Sequence, residues 1–206
     1  MQYDMYQLAI NYMQTFKVEK LEDGSKKKSL PVHNFGLIAI FGEQRIKEVP
    51  PNQRAALKAA HNNFGIGKTH LQIALVKRLI KDGYSVLVVS DTTFVEELMQ
   101  AKRMDDEGQV YNAIMNNVLS ADVLLWDDIG KVNWTEARER MYYTIINERY
   151  RKQKPIIFNS NEDRETLADK IGYAAASRLI GQAGEYLMEA EGEDWRLKKA
   201  GDSHVS

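Results

Sequence analysis

The stretch Gln53–Leu75, QRAALKAAHNNFGIGKTHLQIAL, decides how the chain is read. Gly67-Lys68-Thr69 is the end of a phosphate-binding loop, and the residues after it are helical in pattern. Such a loop works because backbone N–H groups at a helix N-terminus cradle phosphates, while a lysine reaches the outer ones and a hydroxyl meets a metal. The residues before it are out of place. A P-loop hangs from a buried strand, yet Ala55–Ala60 reads AALKAA, helix-forming and without a β-branched residue. Asn62 stands where the motif has its first glycine.

Outward from the loop, apolar residues at 71, 75, 76, 79 and 80 mark an amphipathic helix, with Gly83 near its C-cap. Five apolar runs read as buried strands: 36–41, 85–90, 123–128, 155–160 and 185–190. Between them lie helical patterns. One begins at Thr93 and Glu96 in capping-box spacing, and the last runs unbroken from Arg164 to Ile180. Strands alternating with helices predict a parallel α/β sheet. Residues 20–34, KLEDGSKKKSLPVHN, read as a charged linker, which divides the chain into an N-terminal segment, 1–34, and a core, 35–206. Within that core, 43–62 is interposed before the loop.

A second motif stands downstream. The apolar run VLLWDD ends in Asp127 and Asp128 at the strand's C-terminal end, where open α/β sheets bind ligands. Asp127 suits Mg²⁺ and Asp128 suits activation of a water. Together with Lys68 and Thr69 this predicts an NTPase. On the neighbouring run, Asn161 is placed to orient water or sense a γ-phosphate; Asn159 is the second choice, and a helix cap is the plain alternative.

Composition narrows the class. The 206 residues carry a net charge of −1, which gives no global basic field, and no cysteine. The four histidines, 33, 61, 70 and 204, lack metal-ligand spacing. No signal peptide or membrane-length apolar run is present, so a cytoplasmic protein with no membrane partner is expected. An arginine-rich lid and acceptor pocket, as a small-molecule kinase needs, are not seen.

With these motifs the chain resembles AAA+ ATPases of the bacterial replicative helicase loader group, the DnaC/DnaI type, and the related IstB-type transposition helpers. The resemblance runs from about Asn63 to Lys199 and rests on NFGIGKTHL, VLLWDDIG, INERYRKQKPIIFNSN and AAASRLIGQAGEYLMEAEGEDWRL. It implies a P-loop NTPase of the AAA+ (ASCE) three-layer fold, with a five-stranded parallel sheet and no large C-terminal lid. It further implies ATP/ADP with Mg²⁺ held by Thr69 and Asp127, and a nucleotide loop of Gly42, Asn63, Phe64, Gly65, Ile66, Gly67, Lys68, Thr69 and His70. Asp128 and Asn161 are the implied catalytic groups, and Arg178 resembles an arginine finger given to a neighbouring subunit. The implied partners are replicative DNA helicase, single-stranded DNA (Lys102 and Arg103 being a candidate contact) and other copies of the chain through the ATP site. The cysteine-rich zinc module of the DnaI branch has no counterpart here.

The family order also accounts for the misplaced strand. Without Glu43–Asn62 the sequence reads GLIAIFG-NFGIGKTHL, a strand running into a complete P-loop that starts at Gly42. The removed block, set before Asn11, completes a helix. Blocks 11–42 and 43–62 therefore read as exchanged relative to the family, which requires Gly42 and Asn63 to be close in space. In the alternative the order is genuine, 43–62 is an excursion, and Asn62 or Asn63 replaces a glycine in the left-handed region.

Overall fold

The computed structural model describes residues 2–104 and 107–197. In chain order the elements are α1 Gln2–Met13, β1 Lys17–Lys20, β2 Lys26–Ser29, β3 Phe35–Ile38, α2 Glu43–Glu48, α3 Pro51–Ala60, α4 Lys68–Lys81 and β4 Val86–Ser90. They continue with α5 Asp91–Ala101, α6 Gln109–Ser120, β5 Val123–Asp127, α7 Glu136–Arg151, β6 Ile156–Asn159, α8 Arg164–Ile171, α9 Tyr173–Ala183 and β7 Leu187–Glu189.

Five strands form one sheet in the order β4-β5-β6-β3-β7, and every pairing is parallel. The strand before the P-loop thus lies between the runs 155–160 and 185–190. Side chains alternate across the sheet. Leu124, Trp126, Ile156 and Phe158 face one core with α5, α6, α7, α8 and α9; Val123, Leu125, Phe35, Leu37 and Ile157 face a second core with α1 and α4. This is the three-layer arrangement of an AAA+ P-loop fold.

Several local expectations are corrected. Residues 20–34 are a linker only in part: β1 and β2 form an antiparallel hairpin, with Lys17 opposite Ser29 and Lys20 opposite Lys26. The N-terminal segment also contributes to the core, because α1 buries Met5, Ala9 and Tyr12. Thr93 lies inside α5, whose N-cap is Ser90, so the Thr93–Glu96 spacing is not a capping box. The last helical pattern breaks at Gly172, where φ is 90°, giving α8 and α9. β4 is an edge strand and leaves Val88 exposed, whereas its apolar run suggested cover on both faces.

The end of the sheet away from the P-loop is closed by one buried cation. Arg149 has no exposed surface, and its guanidinium donates to the carbonyls of Val118 (2.6 Å), Ala121 (3.1 Å), Asp122 (3.2 Å) and Pro155 (2.9 Å). It thereby satisfies the last carbonyls of α6 and the entries to β5 and β6. Burial brings its pKa down to about 10. Arg149→Leu should cost on the order of 3 kcal/mol, because buried carbonyls lose their donors; urea melts of the two proteins measure it.

Candidate functional site

The P-loop enters α4 through Gly67, the N-cap, at φ 99°, and through Gly65 at φ 64°. Both angles favour glycine. A Cβ on Gly65 would also fall 1.7 Å from Asp194 Oδ1, so the loop backbone touches the C-terminal segment directly. Trp195 N–H donates to Gly65 O (3.2 Å), and Gly192 N–H to Asn62 O (2.7 Å).

Strand and loop meet although 20 residues separate them in sequence. Asn63 Nδ2 donates to the carbonyl of Phe41 at 3.3 Å, so the strand end and the loop start are neighbours. The proximity required of Gly42 and Asn63 is present. Neither Asn62 nor Asn63 has positive φ, so neither replaces a glycine by left-handed geometry. Asn62 instead uses its amide, giving hydrogen bonds to the carbonyls of Phe64 (2.9 Å) and Gly192 (2.6 Å). Gly42 does not line the cavity. Its N–H is taken by Asp163 Oδ2 at 2.9 Å, and a Cβ there would strike Asp163 and Glu162.

The motif side chains form one connected network. Lys68 is buried; its ammonium donates to Asn63 O (2.7 Å) and Asn161 Oδ1 (2.9 Å). Asn161 Nδ2 donates to Asp128 Oδ1 at 3.1 Å. Thr69 Oγ1 donates to Asp127 Oδ1 at 2.8 Å. Asn159 binds both acids: Nδ2 donates to Asp127 Oδ1 (2.5 Å), while its Oδ1 accepts from Asp128 N–H (3.1 Å). Asn161 is not a helix cap, since Asp163 caps α8 by accepting from Glu165 and Thr166 N–H. Burial lowers the Lys68 pKa to about 8, against the opposing pull of Asp128 and Asp127. Burial and the neighbouring Asp127 raise that of Asp128.

Lys68, Thr69, Asp128 and Asn161 face a cavity of about 680 Å³, a suitable volume for a nucleotide, while Asp127 and Asn159 are tied to them from outside its lining. Phe64, Gly65, Ile66, Gly67 and His70 line it with Lys68, Thr69, Asp128 and Asn161. The donor set fits an NTP with a hard cation: helix-entry N–H groups and an ammonium for phosphates, with a hydroxyl and a carboxylate as oxygen ligands. Arg178 stands outside this cavity. Its guanidinium donates to Ala174 O (2.9 Å) and lies 5.2 Å from the centre of the Tyr143 ring.

Some residues at the site belong to no motif in the sequence. Gln72 sits on the buried face of α4 and ties Phe158 O (2.6 Å) to Asn159 (2.7 Å); a glutamine three residues before Leu75 on an apolar stripe was the available signal. Lys131 also lines the cavity, and so do Trp195 and Arg196, which lie in the run AAASRLIGQAGEYLMEAEGEDWRL, a run that by itself assigned them no place at the site.

The sequence comparisons agree with this geometry. Residues 58–203 match the family described as IstB-like ATP binding protein. The chain belongs to that family. Among relatives it is 30% identical to the replicative helicase loader DnaI of Bacillus subtilis over 130 residues, 63% of this chain and 40% of that one. It is 28% identical to an insertion sequence IS21 putative ATP-binding protein of Pseudomonas aeruginosa over 138 residues, 66% of this chain and 50% of the relative. The chain spans about half the length of such relatives. Its fold matches the DnaC helicase loader crystal structure with a TM-score of 0.60 at 19% identity, covering 90% of this chain and 87% of that one. Among the described residues no helix is long and apolar enough to cross a membrane.

The segment 43–62 is pinned to the same network. Glu43 accepts from Lys131 (2.9 Å) and Lys47 (2.8 Å), and its N–H donates to Asn161 O (2.9 Å). Burial works to raise the Glu43 pKa, but the two lysines prevail and hold it at about 2. A lowered carboxylate pKa stabilises the fold above the unfolded value near 4.5, and the gain is lost as pH falls through about 2. Glu43→Gln should therefore cost under about 1 kcal/mol at pH 7, since the pair is partly exposed. The difference from the parent should vanish between pH 4.5 and 2 in denaturant titrations.

Proposed function

We propose that the chain is a Mg²⁺-dependent ATPase of DNA replication that loads the replicative DNA helicase, in the cytoplasm, through contacts with single-stranded DNA and with other copies of itself. The observation that carries this reading is the continuous connection Lys68–Asn161–Asp128, with Thr69–Asp127 beside it. Lys68 now bonds to protein oxygens, and phosphate oxygens would replace them. Asp128, its carboxylate pKa raised, accepts a proton from the attacking water, which Asn161 orients. Thr69 and Asp127 hold Mg²⁺, which when bound neutralises phosphate charge. Arg178 acts on the site of a neighbouring copy.

A second reading, a helper ATPase of transposition, is favoured by the IS21 relative. Affinity capture with purified replicative helicase and with transposase separates the two. Retention of helicase is expected, and retention of transposase alone would replace the first reading with the second. ATP binding without turnover, even in assemblies, would leave a nucleotide-binding scaffold.

Lys68→Ala should abolish tight ATP binding by calorimetry, and Asp128→Asn should keep binding but lose hydrolysis. Equal loss of affinity in both variants would contradict their separate roles. Arg178→Ala should leave affinity nearly unchanged and reduce turnover on the order of 10³-fold, the scale of an arginine finger. Mixing it with Lys68→Ala subunits should restore part of the rate; a dead mixture despite co-assembly would rule out action between subunits.

A further inference from the structure

The β1–β2 hairpin has no role in the nucleotide site. Its two strands form a sheet of their own, and every residue but Ser29 is exposed. A two-stranded hairpin is marginal alone, and this one is fixed at its base. Tyr84 OH donates to Lys17 O (2.8 Å) and Ser29 O (3.1 Å), while Lys28 Nζ donates to Gly83 O (2.8 Å) and Asp122 (3.2 Å). The tip is closed by its own bonds, Leu21 N–H to Ser25 O (2.9 Å) and Ser25 N–H to Asp23 (2.9 Å). The result is a fixed arm with an ordered end.

The charge on this arm is unbalanced. Between Lys17 and Ser29 there are five lysines and three carboxylates, in a chain of net charge −1. Only Lys28 is in an ion pair; among the described residues, Lys17, Lys20, Lys26 and Lys27 are in none. Lys20 lies directly opposite Lys26, and directly opposed residues share a face. Like charges so placed destabilise a hairpin, and an anion between them removes the penalty. Lys27, opposite Glu19, is on the other face together with Lys17.

We propose that this hairpin is a docking arm for duplex DNA, its lysines meeting backbone phosphates. Two observations separate this from a lipid surface and from a single strand. Lysines project from both faces, so a partner must flank the ribbon on two sides, as the walls of a major groove do; a lipid surface meets one face. Single-strand binders offer aromatic platforms for bases, and residues 17–29 contain no aromatic side chain. The arm would add a duplex contact to the single-strand contact of the proposed function, and it does not depend on ATP hydrolysis.

The test is fluorescence anisotropy of the full chain on a labelled 25-base-pair duplex, a single strand of the same length, and vesicles containing phosphatidylserine, each across a salt series. Lys26→Ala/Lys27→Ala should weaken duplex binding at least tenfold and reduce the slope of log K against log salt by about 2, roughly 0.9 per lost phosphate contact. Lys20→Glu should bind duplex more weakly although its melting temperature is equal or higher, because the new carboxylate would face Lys26. ATP affinity, measured separately, should be unchanged in both variants, so failure of the arm and failure of the nucleotide site are distinguishable. An unchanged duplex affinity and slope would overturn the proposal. So would an equal loss on the single strand, or lysine-dependent vesicle binding without a change on duplex.

Discussion

One buried ammonium holds the functional end of the molecule together. Lys68 is the first residue of α4, yet its side chain turns back to Asn63 O and across to Asn161 Oδ1. It thereby joins the start of the P-loop to the end of β6, and through Asn161 to Asp128. Burying an ammonium without good acceptors is costly, and its lowered pKa is the trace of that cost. The surroundings are arranged to limit it. Asn161 Nδ2 donates to Asp128 Oδ1 and Asn63 Nδ2 donates to Asn161 O (3.4 Å), so the two acceptors are held by each other and by the acid, and Asn159 and Gln72 hold the neighbouring acid and strand.

A second buried charge fixes the loop after Asp128. Asp91, at the start of α5, accepts from Trp126 Nε1 (2.8 Å), Tyr142 OH (2.8 Å) and the N–H groups of Lys131 (2.9 Å) and Val132 (3.3 Å). Burial raises its carboxylate pKa, and these donors are what make the charge tolerable there. Asp91 and Arg149 stand at opposite ends of β5: one gathers donors, the other gathers carbonyls. Between them the strand that carries the acidic pair is held at both ends.

Much of this was legible in the sequence because it depends on short-range rules. Gly67-Lys68-Thr69 before an apolar stripe and two aspartates after VLLW located the P-loop, the β5 end and the sheet type. What escaped depended on contacts between distant residues. The hairpin strands KVEK and KKKS have no apolar face, so their pattern resembles a linker; Tyr84, some 60 residues away, holds them. The run at 85–90 is apolar enough for an interior strand, but composition does not reveal that β4 is at the sheet edge. Asn62 and Asn63 read as stand-ins for glycine because asparagine tolerates αL geometry; here their amides make distant bonds instead. The break at Gly172 separates two helices that a continuous apolar pattern had joined.

The joining of Phe41 to Asn63 has a further consequence for how this chain can vary. The α2–α3 segment leaves and returns at nearly one point, and α3 has no buried residue. Closing such a loop grows dearer only logarithmically, about 0.6 kcal/mol for each doubling of length. The outer part of the segment is thus a graft site: sequence can be lengthened, shortened or replaced between Pro51 and Ala60 while the stem at Gly42–Glu43 keeps its bonds to Asp163 and Asn161.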